Sequence, residues 1–381
     1  MNTHPVWAEI SRSNLLHNFH LLRSLAAPAE LLAVVKANAY GHGAVACSQA
    51  LASGGAQWLG VTSVDEGVAI RAACPHSEIL AMCGLWPGEA EAARAHRIIP
   101  VVWEPTHLDE AARSEQPLSV HLEIDTGMSR QGVRLADLPL LLDKLQRLPS
   151  LHLDGVMTHF HSPEVLDCPA NQQQLAQFIT AIDTILTRGL HPRWIHAGNS
   201  ATVLNSGASA LVKVAKKYGA QAILRPGLAL YGYAPRFTGG GKPASVAELK
   251  PVLTWKSRVA SLRTIEPGDT AGYCATFRAT RSTRLALLAA GYADGLNRLL
   301  SNQGAVLLRG KCAPIAGRIS MDLTIVDVTD IPDVEIGDEA VLIGMQGAEE
   351  ITAYDHADIA GTIPYEILCN INVRVPRVMV D

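Results

Sequence analysis

The sequence predicts an α/β fold, a (β/α)8 TIM-type barrel followed by a mostly β domain, on three observations. Between residue 31 and about residue 232, eight short apolar runs alternate with segments of helical spacing. Such alternation builds a parallel sheet, and eight strand–helix units in about 200 residues suit a closed barrel better than an open doubly wound sheet. No GxGxxG follows the first run, so the glycine-rich phosphate turn of the open-sheet alternative is missing. Beyond a Gly- and Pro-rich stretch the pattern changes to strand-like runs with few helical ones.

Taken in order, the eight runs are LLAVVK, QWLGVTS, EILAMCG, IIPVVW, SVHLEID, LDGVMTHF, WIHAGNS and ILRPGLALYG. The first is apolar throughout until Lys36, as a strand buried on both faces would be, and a loop-like NAYGHG follows it. After the sixth run, about Asn171 to Arg188 reads as an amphipathic helix with Leu175, Phe178, Ile179, Ile182 and Ile185 facing the barrel. APRFTGGGKPAS, residues 234–245, reads as a linker, which sets the expected domains at 1–235 for the barrel, 236–250 for the linker and 251–381 for the β domain. In that last part VLTWKSRVASL, TAGYCATF, RLALLAAGYA, GAVLLRG, LTIVDV, EAVLIGM and INVRVPRVMV read as strands.

Composition bounds the partners. With 381 residues, 48% hydrophobic and 18% charged, the chain can bury two cores. A net charge of -4 with no Lys/Arg block argues against nucleic acid or an anionic membrane surface, while leaving small anionic ligands open. Seven cysteines, an odd number without a CxxC pair, suit a reducing compartment. MNTHPVWAEI has neither a basic n-region nor an apolar h-region, and no stretch approaches the roughly 20 apolar residues that cross a bilayer, so a cytoplasmic location is expected.

Barrels of this type place their chemistry at the C-terminal ends of the strands. Lys36 ends the first run; Glu123, Asp125 and the following Arg130 belong to the fifth; His159 and His161 close the sixth; His196, Asn199 and Ser200 close the seventh; Arg225 and Gly227 lie on the eighth. Taken singly, each reads as ordinary rim polarity. Lys36 differs, because a barrel mouth can lower its pKa by desolvation and neighbouring cations and free the amine for a Schiff base. The bland alternative is a lysine that snorkels to solvent. Gly41 and Gly43 would let backbone approach a ligand, Tyr40 could donate to a phosphate, and GNSA and RPGLALYG supply a hydroxyl and backbone N–H groups where phosphate commonly binds in such barrels. A Schiff-base lysine facing a phosphate site points to pyridoxal 5′-phosphate. His159-Phe160-His161 invites a metal reading, but no third ligand follows at suitable spacing, and no metal is expected.

AVVKANAYGHG, DTGMSRQG, GVMTHF, HAGNSA, RPGLALYG, GYCATF, AGYADG, GRISMD and IPYEILC resemble, in order and spacing and over essentially the whole chain, the motifs of bacterial alanine racemases. The resemblance implies a cytoplasmic homodimer with active sites shared between subunits, interconverting L- and D-alanine through a pyridoxal-phosphate aldimine and supplying D-alanine for peptidoglycan. Lys36 would carry the cofactor and act as base on one face of the α-carbon, and Tyr273 of the second domain would reach in from the partner subunit to act on the other. His159 and Arg225 match the network behind that tyrosine, and Arg225 also the residue facing the pyridine nitrogen. Arg130 matches the group near the cofactor's phenolic oxygen and the substrate carboxylate, with Met321 and Asp322 facing the substrate. Tyr40, Ser200, Gly227, Leu228 and Tyr365 match the phosphate cradle, and Tyr292, Ile363 and Tyr365 the narrow access to the site.

Two positions depart from the family pattern. Where many relatives have a lysine that becomes carbamylated and holds the DTGMxR arginine, this chain has Glu123, expected to pair with Arg130 directly. HFHSPEVLDCPANQQQ lacks the small and acidic residues more usual after the HF pair, which leaves substrate range open. A broad-specificity racemase acting on serine, lysine or arginine is the main alternative. A decarboxylase would not require Tyr273, and a pyridoxal-phosphate carrier would be a single barrel without the β domain.

Overall fold

A computed structural model describes residues 4–381; the first three residues of MNTHPVWAEI lie outside the described residues. The chain divides into two units, one of Asn14–Ala39 and Ala44–Lys250, the other of residues 4–13, Tyr40–Gly43 and Pro251–Asp381.

The first unit is the barrel. Its strands are Glu30–Val34, Trp58–Val61, Glu78–Ala81, Ile98–Val102, Leu118–Asp125, Leu151–Met157, Trp194–His196 and Gln221–Leu224, one for each apolar run. All pair in parallel in chain order, and the circle closes where Ile223 meets Glu30 and Leu224 meets Leu31. The strands are apolar on both faces because the interior of the barrel covers one and a helical layer the other, as in ELLAV and WLGV. The helix after the sixth strand runs Pro169–Thr187, with Phe178, Ala181, Ile182 and Ile185 buried. Leu175 and Ile179 are only half-buried, and the polar Gln174 takes a core position instead. The stretch read as a linker is held to this unit: Leu166 N–H donates to Thr238 O at 2.9 Å, Ser245 Oγ to Leu204 O at 2.9 Å and Lys250 N–H to Asn18 Oδ1 at 2.9 Å.

The second unit is built around one long strand, Leu253–Ile265, which pairs antiparallel with Val6–Ser11, Glu339–Gln346 and Thr283–Leu288. Register shifts at Trp255/Lys256 and at Val259/Ser261 let it change partners along its length. Val6–Ser11, read from sequence as part of the barrel domain, adds a strand here, between Leu253–Ile265 and Arg377–Val380. TAGYCATF is not a strand but a small hairpin, Thr270–Ala271 against Phe277–Arg278, with a 3-10 turn Tyr273–Ala275 at its tip. Of INVRVPRVMV only Arg377–Val380 is extended, and two helices, Ala353–Ala360 and Pro364–Cys369, fall between EAVLIGM and that run, in a stretch not read as strand. No helix among the described residues is long and apolar enough to cross a membrane.

Candidate active site

Lys36 stands half-buried at the end of the first barrel strand, and the backbone turns left-handed immediately after it. Ala37, Asn38 and Ala39 have φ of 51°, 54° and 55° with ψ of 51°, 45° and 51°, and Tyr40 follows at φ 52°. Left-handed geometry costs an L-residue roughly 1–2 kcal/mol, so the turn must be held from outside. Three contacts hold it: Ala39 N–H donates to Val35 O at 2.8 Å, Ala44 N–H to Asn38 Oδ1 at 2.8 Å, and Ala37 N–H to Glu66 Oε1 at 2.9 Å. The other oxygen of Glu66 accepts from Thr62 N–H at 2.7 Å, so one carboxylate ties the lysine turn to the end of the second strand. Sequence reading passed over Glu66, although Ser63-Val-Asp-Glu66 is a capping-box pattern, with Ser63 accepting from Glu66 N–H.

Arg225, on leaving the eighth strand, is 4% exposed. Its guanidinium lies 2.8 Å from Thr158 O and 3.3 Å from both His196 Nδ1 and His159 Nδ1. An arginine only donates, so both histidines accept at Nδ1 and carry their proton on Nε2. Burial lowers the Arg225 pKa to about 10, against the pull of Glu123 and with a further push from Arg130. His159 is lowered to about 3 by burial, then by Arg225, Arg130 and Lys36, and is neutral at ordinary pH. His196, expected at the rim, is instead wholly buried in the strand. Gln174 holds the segment beyond the sixth strand: it donates to His159 O at 3.1 Å and accepts from His161 N–H at 3.0 Å.

Glu123 is buried at the end of the fifth strand, and its neighbour is not the expected one. Gln131 Nε2 donates to its Oε2 at 2.6 Å, whereas Arg130 is exposed and forms no hydrogen bond or ion pair with it among the described residues. The path of the loop explains this. Val133 and Arg134 pair with Ile124 and Asp125 and fold the loop back on its own strand, and Gly132, at φ 106°, lies so close that a Cβ would come within 2.5 Å of Asp125 N. Residue 131 rather than 130 then lies over the carboxylate. Burial raises the Glu123 pKa, opposed by the Gln131 hydrogen bond and by Arg225 and Arg130.

Ser200 is buried after the seventh strand and its Oγ accepts from Gly227 N–H at 3.0 Å and Ala229 N–H at 3.2 Å, which joins the two loops expected to cradle phosphate and keeps Leu228 between them.

The remaining expected residues lie in the β unit. Tyr40 and Tyr365 have ring centroids 6.1 Å apart. Burial, with Tyr365 and Cys369, pushes the Tyr40 phenol far above its ordinary value, so it stays a donor. Gly41, at φ 83°, is demanded by the protein itself: a Cβ there would fall 2.1 Å from Leu368 O. Arg377 fixes the same loop by donating to Gly41 O at 2.8 Å. Tyr273 projects from its hairpin tip 68% exposed, and Tyr292, Met321 and Ile363 are also exposed. Ala293 N–H donates to Met321 O at 2.9 Å, and Arg374 bridges Asp294 and Asp322 at 2.8 and 2.7 Å, so Tyr292, Met321 and Asp322 are presented as one surface.

Comparison with known proteins identifies the family and the fold. Residues 10–235 match the family model for the alanine racemase N-terminal domain and residues 252–379 that for the C-terminal domain. The alanine racemase of Halothermothrix orenii is 39% identical over 380 residues, covering 98% of this chain and 97% of its own. The crystal structure of alanine racemase from D-cycloserine-producing Streptomyces lavendulae superposes with a TM-score of 0.89 at 33% identity, covering 100% of this chain and 98% of that one. That of alanine racemase from Bartonella henselae with covalently bound pyridoxal phosphate does so at 0.83 and 28% identity, covering 99% and 100%.

Proposed function

The chain belongs to the alanine racemase family, an isomerase family, and on that premise we propose that it interconverts L- and D-alanine with pyridoxal phosphate, Lys36 and Tyr273 of the partner subunit serving as its two proton carriers. The observation that carries the reading is the half-buried strand-end Lys36 at the same rim as a buried, protonated Arg225 that donates to neutral His159 and His196.

The residues suit the cofactor. Lys36 offers the amine, Ser200 with the Gly227 and Ala229 N–H groups offers an anion cradle, and Tyr40 offers a phenol that burial keeps protonated. When bound, pyridoxal phosphate supplies an electron sink that acidifies the substrate's α-hydrogen. Arg225 would hold the ring nitrogen and, being protonated to about pH 10, keeps its proton, which limits the sink and favours return of the α-proton over other fates. Arg130, free of ion pairs among the described residues, has its guanidinium available for a substrate carboxylate. Lys36 Nζ takes or returns the α-proton on one face, and the phenol oxygen of Tyr273 on the other. Tyr273, Tyr292, Met321 and Ile363 are large and exposed in the single chain, which supports their being covered in a homodimer. Tyr292 and Ile363 would narrow the access to alanine-sized side chains.

Borohydride treatment followed by peptide mapping should place the cofactor on Lys36, and a chiral assay with single amino acids should show alanine turned over at least tenfold faster than serine, lysine or arginine. Cofactor attached elsewhere, or equal rates among these substrates, overturns the corresponding part of the reading.

A further inference from the structure

TIM-barrel interiors are ordinarily filled by Val, Ile and Leu, because a buried polar side chain costs free energy unless it is fully hydrogen-bonded. This barrel contains two imidazoles in direct contact. His121 of the fifth strand and His196 of the seventh are both 0% exposed, with His121 Nδ1 2.8 Å from His196 Nε2. The space is made for them. A Cβ on Gly155, in the strand between, would lie 2.6–2.7 Å from ring atoms of His121, and the indole of Trp58 packs 5.8 Å away. The residue next to that glycine, Asp154, is 5% exposed and places Oδ2 3.8 Å from His121 Nε2. The same Oδ2 accepts from Arg193 at 3.1 Å, and Oδ1 lies 3.8 Å from His152 Nε2.

The donors and acceptors along this line are forced. Arg225 can only donate, so His196 accepts at Nδ1 and carries its proton on Nε2. That proton faces His121 Nδ1, which accepts and leaves the proton of His121 on Nε2. His121 Nε2 has no hydrogen-bond partner among the described residues, and the nearest acidic oxygen is the carboxylate of Asp154, an acceptor only. From the other end the Asp154 carboxylate, at 3.8 Å and outside hydrogen-bond distance, favours the same tautomer by electrostatic attraction for the N–H on His121 Nε2. Reversal at His196 would set an imidazole N–H against the N–H of Arg225, and reversal at His121 alone would set one against the N–H of His196.

We propose that Asp154 and His121 are positioning residues for racemisation: with His196 they form a one-way relay, Arg225 to His196 to His121 to Asp154, that keeps His196 Nδ1 an acceptor and so holds the Arg225 guanidinium in its catalytic orientation. The role of Arg225 rests on the reading given above; the relay itself does not. Neither residue touches a reacting atom, and no proton crosses the relay in turnover. The carboxylate acts at a distance by removing the alternative tautomer, as a second group commonly does for a functional histidine.

Histidine ring 15N shifts of ring-labelled protein, assigned with His121→Gln, test the relay without cofactor or substrate. Both rings should be neutral with the proton on Nε2, and a ring protonated on Nδ1, or on both nitrogens, at pH 7 overturns the proposal. In Asp154→Ala the His121 signal should move toward mixed tautomers, the absorption band of bound cofactor should shift, and kcat should fall roughly tenfold at unchanged KM, in the range seen when an orienting partner is removed. Asp154→Asn keeps an acceptor and should recover most of the loss. Arg193→Gln removes the ion pair alone and should leave ring shifts and kcat as they were. Unaltered ring shifts and kcat in Asp154→Ala, or an equal loss in Arg193→Gln, would reduce Asp154 to a structural ion pair. Correct tautomers in a protein that takes up no pyridoxal phosphate would leave the relay standing and sink the reading of the site.

Discussion

The carboxylate of Glu123 takes Gln131 rather than Arg130, and its strongest electrostatic partner among the cations is Arg225. Glu123→Gln should therefore act on Arg225, proposed to stand behind the chemistry, and not on Arg130, proposed to bind the substrate carboxylate. The expected outcome is a fall in kcat of about tenfold, the equivalent of ~1.4 kcal/mol, with KM for alanine unchanged and no response to removal of carbon dioxide. Steady-state kinetics decide it: a raised KM at intact kcat would restore the direct Glu123–Arg130 pair that the spacing of HLEIDTGMSR suggests. At this scale the sequence is informative where chemistry depends on residue type and place in a strand, as for Lys36, Arg225 and Ser200. It fails where a contact depends on the path of a loop. Whether position 130 or 131 lies over Glu123 is decided by the fold-back at Gly132, and no local periodicity encodes that.

Among the elements, the left-handed turn after Lys36 concentrates the strain. The first turn of helix Val64–Arg71 supplies the compensation through Glu66. Glu66→Ala leaves Ala37 N–H and Thr62 N–H without their acceptor, so the turn should relax toward ordinary geometry and carry Lys36 with it. We expect a loss of about 1–3 kcal/mol in denaturant stability together with faster release of unreduced cofactor, and Glu66→Gln, which keeps one acceptor, should lie between. Lost stability at unchanged cofactor release would limit Glu66 to capping. The eight barrel strands were legible because parallel strands buried on both faces leave uninterrupted apolar runs. Five of the seven runs of the β domain were legible too, but TAGYCATF was not: it has strand composition but bends at Gly272 and Cys274, whose φ of 74° and 59° make a hairpin tip, and that tip presents Tyr273. Polar residues with core positions, such as Gln174 and His121, were invisible to apolar periodicity for the same reason that they matter.

For the whole molecule, buried histidines set the acid limit. His121 and His196 are pushed below the ordinary value of 6.5 chiefly by burial, and His356 in the β unit to about 4 for the same reason. Each binds its proton more readily in the unfolded chain, so the stability gained by keeping them neutral is complete above about pH 6.5 and is lost as pH falls toward the folded values. Denaturant midpoints should be level from pH 8 to 7 and then drop, by ~1.4 kcal/mol per pH unit for each histidine titrating only in the unfolded state. A flat profile down to pH 5 would mean these rings are solvated in the native state.

Assembly offers a sharper test, because the proposed site takes Lys36 from one subunit and Tyr273 from the other. Lys36→Ala and Tyr273→Phe homodimers each lack one proton carrier at both sites and should be nearly inactive. In a mixed dimer the lysine of the Tyr273→Phe chain faces the tyrosine of the Lys36→Ala chain, which makes one intact site and one doubly damaged site. Random reassociation of equal amounts makes half the dimers mixed, so roughly a quarter of all sites recover, as two-fold symmetry of the interface requires. The exposure of Tyr273 at its hairpin tip is what makes such a crossing feasible without refolding. Dissociating the two variants together, proving exchange with a mass tag and measuring racemisation should give about 25% of wild-type activity. If exchange is proven and the mixture stays as inactive as its components, each site is complete within one chain and Tyr273 is not the second proton carrier.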